Sequence, residues 1–514
     1  MDIIVGNQII RRMKRLLLIL LLFVFLGYVS QPIEGQSKPK KKVSKQTDKS
    51  GNKKKKSKKP VNKKKKSPQT NKKSPKKQPK ASPKKTYTPA KRPDLTTVTR
   101  FMPKDTASSI TFGLIEEYDK VIKEEFTPII NDSSLQLFFG KLQSLEKGEK
   151  RKVRILHIGD SHLQPGYFAS WIRTELQKKY GYAGFGLFYP YALSNIYTRM
   201  GLFSWSDTRW ESRRNMTGEK GQYLGVSGYS VKTDDPSWKI GIGVVPFNTI
   251  DNRFDRVTLF HSPGTTKPEI IPLRPIITGK ATDADSWDDS PVTMALDSNH
   301  GKWTASNYSL PSPTNEIVIT SGDKEEKDGP FIFHGGTGEM AENSGIIYHE
   351  AGVGGSQLPL FTRTTLFFDQ VKEISPDLVI VSLGTNESYS PEYDTVWYEK
   401  RVTELITKIR SESPATAFIL MTPPDILYKR NYPRYMQAII NIFKRVGEKE
   451  NVAIWDWNAI MGGKGSIGKW VAEKLAQSDN IHMTPKGYRL TAALFLKSFE
   501  ESYEKFKPGN ISPE

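Results

Sequence analysis

Val153-Arg154-Ile155-Leu156-His157-Ile158-Gly159-Asp160-Ser161-His162 runs from a charged flank into a short apolar segment and stops at a glycine. An apolar run of this length, bounded by charge on one side and Gly159 on the other, predicts a strand buried on both faces of a parallel sheet. A serine follows two residues after the strand. Open parallel sheets bind their ligands outside the carboxyl ends of their strands, so Ser161 falls where a site would form.

Outward from this point the chain alternates. A helical pattern follows from Tyr167 to Lys179, and an amphipathic helix is predicted before it, from Leu135 to Leu145. Later strand-like runs are Ile346–His349, Leu378–Leu383, Ala417–Met421 and Val452–Trp457. Helical stretches lie among them at Tyr393–Ser413, Tyr435–Lys449 and Pro485–Glu501. Strands alternating with helices of this length predict βαβ units and an α/β fold with a doubly wound parallel sheet.

Residues 194–344 break the alternation. Short β-branched and aromatic runs recur there between Gly, Pro, Asp and Asn: Trp238–Val245, Arg256–His261, Glu269–Pro272, Glu316–Thr320 and Pro330–His334. They predict an inserted all-β domain, a sandwich or jelly roll, after the first βα unit. Trp205, Trp210, Trp238, Trp287 and Trp303 fall within it. They either fill its core or make a sugar-stacking surface.

The 514 residues carry 77 Lys+Arg against 55 Asp+Glu, a net charge of +22. That charge is not spread evenly. Residues 36–92 hold 24 Lys, Arg92 and one acid, Asp48, for +24; residues 1–35 hold +2. Taking both from the total leaves −4 on residues 93–514. The globular part is slightly acidic, so specific nucleic-acid binding loses its support. With no cysteine, disulfides, thiol catalysis and Cys-ligated metals are excluded.

Residues 1–35 read as an export segment. Arg11, Arg12, Lys14 and Arg15 precede 14 apolar residues, Leu16 to Val29. The run is shorter than the ~20 residues that normally span a bilayer. Tyr28 is too bulky for the −3 position of a cleavage site after Ser30. A signal-anchor is therefore the reading, and a cleaved signal peptide the alternative. Both send the rest of the chain to the periplasmic side of the cell envelope. Residues 36–92 have the composition of a disordered, solvated linker. Its lysines also suit an electrostatic tether to an anionic cell-wall polymer or lipid headgroups. The remaining boundaries fall at 93–193 for the N-terminal helices and first part of the α/β domain, and 345–514 for its remainder.

Three segments carry chemistry: Gly159-Asp160-Ser161-His162, Leu383-Gly384-Thr385-Asn386 and Asp479-Asn480-Ile481-His482. Each falls at a strand end or before a helix. A serine hydroxyl needs a base, which His482 can supply. Asp479 can fix the imidazole tautomer and steady the imidazolium. Donors for a developing oxyanion are the Ser161 N–H, the Asn386 amide and a glycine N–H after the second sheet strand. Gly355 fits the last role, with Gly354 as its competitor. Asp160 shapes the loop, and His162 lines the pocket or caps the helix.

These blocks resemble those of the SGNH (GDSL) hydrolases: GDS, a glycine, G-x-N and D-x-x-H in this chain order. The resemblance implies a flavodoxin-like three-layer fold, a nucleophile at Ser161, a catalytic Asp479–His482 pair and an oxyanion hole of Ser161, Gly355 and Asn386. The family's usual leucine after GDS is His162 here. The GDSH block with Tyr180-Gly181-Tyr182-Ala183-Gly184-Phe185-Gly186-Leu187-Phe188-Tyr189-Pro190 is similar to exported O-acetylpeptidoglycan esterases, which also carry a β-sandwich after the first βα unit. The resemblance implies an acetylated glycan as substrate and no cofactor.

Other readings compete. Gly463-Lys464-Gly465-Ser466-Ile467-Gly468-Lys469-Trp470 spells most of a phosphate loop, but Trp470 stands where Ser or Thr should bind magnesium. There is no GxSxG elbow and no HExxH. An acyltransferase or a lipase would use the same triad, and an idle wall-binding protein would use none of it.

Overall fold

The computed structural model describes residues 91–94, 112–126, 128–196, 201–264, 267–276, 290–292, 296–321 and 329–507. The apolar segment 16–29, nearly all of the Lys-rich stretch and Trp287 lie outside them. Among the described residues no helix is long and apolar enough to cross a membrane.

The predicted strand is Lys152–Gly159. It lies in the middle of a sheet, parallel to Gly345–Gly352 on one side and to Leu378–Ser382 on the other. Ala417–Met421 and Ala453–Trp455 continue the sheet beyond Leu378–Ser382, also parallel. Five strands thus follow the doubly wound 2-1-3-4-5 order. Their side chains alternate between two apolar layers. Leu156, Ile158, Val379, Val381, Phe418 and Leu420 point into one layer with helices Thr395–Glu412 and Met436–Lys449. Val153, Ile155, Leu378, Ile380 and Ile419 point into the other with helices Gln136–Glu146, Tyr167–Tyr180 and Pro485–Phe506. Burial on both faces explains why the strands read as unbroken apolar runs.

Sequence patterning missed five strands of the insert and, in the main sheet, the strand Tyr182–Phe188. It carries Gly184 and Gly186, which dilute the apolar signal. It adds to the sheet parallel to Gly345–Gly352 on one edge. On its other edge it pairs antiparallel with Phe331–Glu339, a strand of the insert. Phe254–His261 and Thr304–Thr314 then extend the same sheet.

The insert is therefore a sandwich that shares a sheet with the catalytic domain. Its second sheet has the order Leu202–Trp205, Lys239–Val244, Glu316–Thr320, Glu269–Pro272, all antiparallel. Ile240, Ile242, Ile317 and Ile319 from this sheet meet Val257, Leu259, Phe331 and Phe333 from the other. Trp210, Trp238 and Trp303 are buried in that interior, and Trp205 lies half-buried across Gly241. The four described tryptophans are packing residues, and the sugar-stacking surface is not formed by them.

The linker boundary also shifts. Arg92 reaches the insert and grips the Glu316 carboxylate with two 2.7 Å hydrogen bonds. The Glu316 side chain is fully buried, and Arg92 is the cation that meets it there. Arg92 belongs to the folded part.

Candidate active site

Ser161, the candidate nucleophile, stands on a turn between the first strand and the helix that follows it. Leu163 N–H and Gln164 N–H both donate to the Asp160 carbonyl, at 3.2 and 3.0 Å. The Asp160 side chain accepts from His162 N–H at 2.9 Å. The helix begins only at Tyr167, after Gly166 in the left-handed region. The turn of residues 160–165 separates Ser161 from the helix start. This turn lets the Ser161 hydroxyl reach a distant loop.

That loop precedes the last helix. Thr484 caps the helix by accepting from Gly487 N–H, with Pro485 in its first turn. Asp479 folds the loop around itself: one carboxylate oxygen accepts Ile481 N–H at 2.9 Å and His482 N–H at 3.0 Å. Its other oxygen meets His482 Nδ1 at 2.7 Å. His482 Nε2 lies 2.9 Å from Ser161 Oγ. With the proton held on Nδ1 by Asp479, Nε2 is the acceptor for the serine proton. Partial burial pushes the Asp479 carboxyl up, but the hydrogen bonds from the His482 ring and from the two backbone N–H groups outweigh it and hold it at about 2. Asp479 is charged across the range in which proteins work.

The candidate oxyanion donors lie on three loops. Ser161 N–H and Gly355 N–H have no acceptor among the described residues, whereas Gly354 N–H is taken by Gln164 Oε1. Gly355 is thereby favoured over Gly354. The geometric demand falls on two glycines for different reasons. Gly355 has φ +79, in the left-handed region. At Gly352 a Cβ would sit 2.6 Å from Gln164 N, so the closest approach to the nucleophile turn is made there. Asn386 is buried. Its Nδ2 donates to the Ser356 carbonyl at 2.9 Å and lies 3.4 Å from the Asp160 carboxylate. The first bond fixes the amide, and the long second contact is the one a substrate oxygen can replace.

Buried groups hold this arrangement. Asp160 is fully buried, which pushes its carboxyl up to about 6. Burial likewise raises Glu387 to about 7. Glu387 accepts from Leu358 N–H at 2.9 Å and from Gly384 N–H at 3.1 Å. It ties the Gly355 loop to the Asn386 loop. His162 neither caps the helix nor opens to a pocket. It is buried beneath His482, edge-on to Trp457, with Nδ1 3.2 Å from the Tyr488 hydroxyl. Burial pushes it well below its ordinary value, so it stays neutral.

The insert contributes contacts that sequence reading missed. Asn215 Nδ2 donates to Ser356 Oγ at 2.9 Å, and Met216 overlies Gly355. Tyr229 O–H donates to Gln164 Oε1 at 3.3 Å. No local signal marks these residues, because their partners lie 65 to 141 positions away. Among the described residues no cluster of His, Asp and Glu could hold a metal ion.

Residues 330–490 match the GDSL-like lipase/acylhydrolase family, a span that begins within the insert and takes in Gly355, Asn386 and the Asp479–His482 pair. A solved peptidoglycan O-acetylesterase aligns over 72% of this chain and 96% of its own, at 22% identity and a TM-score of 0.58. A lipase/acylhydrolase from Enterococcus faecalis aligns over 32% of this chain and 80% of its own, at 18% identity and a TM-score of 0.24. A comparison with curated protein sequences returns no match. Fold, block order and family match agree: the chain carries the SGNH hydrolase fold and resembles the O-acetylpeptidoglycan esterases within it.

Proposed function

We propose that this protein is an exported serine esterase that removes O-acetyl groups from a polysaccharide, with peptidoglycan as the first candidate. The observation that carries the reading is the relay from Asp479 through His482 to Ser161, with steps of 2.7 and 2.9 Å. The likeness to a peptidoglycan O-acetylesterase supports the substrate class.

Each step uses groups already described. Ser161 Oγ attacks the acetyl carbonyl as its proton passes to His482 Nε2. Negative charge grows on the carbonyl oxygen, which Ser161 N–H, Gly355 N–H and the Asn386 amide receive. Collapse expels the sugar alcohol, which takes the proton from His482. Water then attacks the acetyl-serine, giving a proton to His482, and acetate leaves with Ser161 restored. The reaction needs no cofactor.

Hydrolysis is favoured over transfer by exposure of the base. The side chains of His482 and Asp479 are 32% and 42% accessible, so water reaches them without a lid opening. The apolar segment at residues 16–29 and the Lys-rich stretch fit an enzyme tethered to the outer face of the inner membrane and held near an anionic wall polymer or lipid headgroups. The test is acetate release from purified O-acetylated peptidoglycan by the wild type and by Ser161→Ala. Release by the wild type alone supports the reading. A wild type that hydrolyses p-nitrophenyl acetate but frees nothing from peptidoglycan or other acetylated glycans removes it.

A further inference from the structure

Beside the oxyanion loop the insert forms a cleft of about 340 Å³. Arg213, Arg214, Ser212, Thr217, Asn195 and Tyr229 line it, and no acid is among its lining residues within the described part of the chain. Arg213 pairs with Glu211 just outside. Arg214 is exposed, and its guanidinium has no partner among the described residues. This is a positively charged cleft with one free cation.

Its position ties it to catalysis. Arg214 lies directly before the Asn215–Thr217 turn, whose Asn215 bonds Ser356 and whose Met216 overlies Gly355. Across the strand pair Arg214 faces Tyr229. Tyr229 lines the cleft and also bonds Gln164, the residue that holds Gly354 N–H. Tyr229 thus belongs to the cleft wall and also holds Gln164 beside the oxyanion loop, while Arg214 is followed directly in the chain by the two residues that touch that loop.

We propose that Arg213 and Arg214 form a subsite for a carboxylate on the acetylated glycan, so that the enzyme prefers acidic acylated sugars to neutral ones. This rests on the reading of the chain as a glycan O-acetylesterase. A guanidinium recognises a carboxylate through paired N–H donors, and a neutral hydroxyl gains much less from it. Muramic acid meets the requirement: its lactyl ether ends in a carboxyl, free or extended by a peptide that carries carboxylates of its own. Acetylated xylan or chitin oligomers carry no such group.

The test compares kcat/KM for acetate release from O-acetylated muropeptides and from acetylated chitooligosaccharides, using the full chain. The quantity read is the ratio of the two on one preparation, which cancels any loss of folded protein. Arg214→Ala should lower the ratio about tenfold, as expected for one charge-assisted contact, chiefly through KM for the acidic substrate. Arg214→Glu should lower it further, and Arg214→Lys should restore much of it. Added salt should lower the wild-type ratio. A ratio unchanged in both Arg214→Ala and Arg214→Glu overturns the subsite while leaving the esterase reading intact. A wild type that frees acetate from neither glycan, yet hydrolyses p-nitrophenyl acetate, overturns both.

Discussion

The rings of His162 and His482 lie with centroids 5.5 Å apart, yet only His482 touches both a carboxylate and the serine hydroxyl. His162 is sealed beneath it, and its Nε2 has no partner. A neutral, enclosed imidazole cannot exchange protons with substrate. His162→Leu should therefore keep kcat on p-nitrophenyl acetate within about tenfold of wild type, whereas loss of a general base costs ~10²–10⁴ or more. A folded His162→Leu protein as inactive as His482→Ala would assign the buried ring a direct role.

Ser161→Ala and His482→Ala should each lower kcat by roughly 10⁴–10⁶, and the double variant should be little worse, because the groups act as a unit. Steady-state kinetics on a small acetyl ester decide this. Multiplicative losses in the double variant would mean the two residues do not share one relay.

Asn386→Ala should lower kcat by about 10²–10³ with KM nearly constant, since the amide meets charge that exists only in the transition state. Its ties to Ser356 and Asp160 make loop disorder a competing explanation. Asn386→Asp keeps the size of the side chain and removes the donor, so it should be equally impaired. An active Asn386→Asp enzyme would contradict the oxyanion role.

Two buried carboxyls set a pH dependence of stability. Asp160 and Glu387 titrate near 6 and 7 in the folded protein, above their ordinary 3.8 and 4.5. The folded state therefore holds protons that the unfolded chain releases earlier. Their contribution is full below about pH 4 and is lost as pH rises through 6 and 7. Asp479 is shifted the other way; its contribution is present above pH 4 and lost as pH falls through 2. Thermal melts should show Tm falling from pH 5 to pH 8, and falling less in Glu387→Gln. A wild-type Tm that rises over that window would refute this assignment.

Arg92→Ala should destabilise the protein by on the order of 2 kcal/mol, less than a fully buried pair loses, because the guanidinium is half exposed while Glu316 is enclosed. A chain beginning at Pro93 should show the same lowered Tm as Arg92→Ala. Equal melting of all three proteins would make the pair energetically idle.

The candidate catalytic groups were legible because each sits in a short local block, Ser161 and Asn386 just after an apolar strand and Asp479 with His482 just before the last helix. Strand Ala417–Met421 was readable to the residue for the same reason: both its faces are buried, so nothing interrupts it. Strand Tyr182–Phe188 was hidden because two of its seven residues are glycine, placed where neighbouring backbone leaves no room for a Cβ. Pairings such as Tyr229 with Gln164, or Arg92 with Glu316, depend on how distant segments stack. No periodicity encodes them.

The hydrogen-bonded ladder between Tyr182–Phe188 and Phe331–Glu339 also governs how the molecule can move. An appended module on a hinge could swing over a substrate and away again. A module whose strands continue its host's own sheet has no axis about which to swing. Any substrate must therefore pass a fixed rim, with adjustment confined to side chains such as Met216 and Arg214. The same ladder should make heat or denaturant take the host and its insert apart in a single cooperative transition, and should leave neither half able to persist after the other is lost.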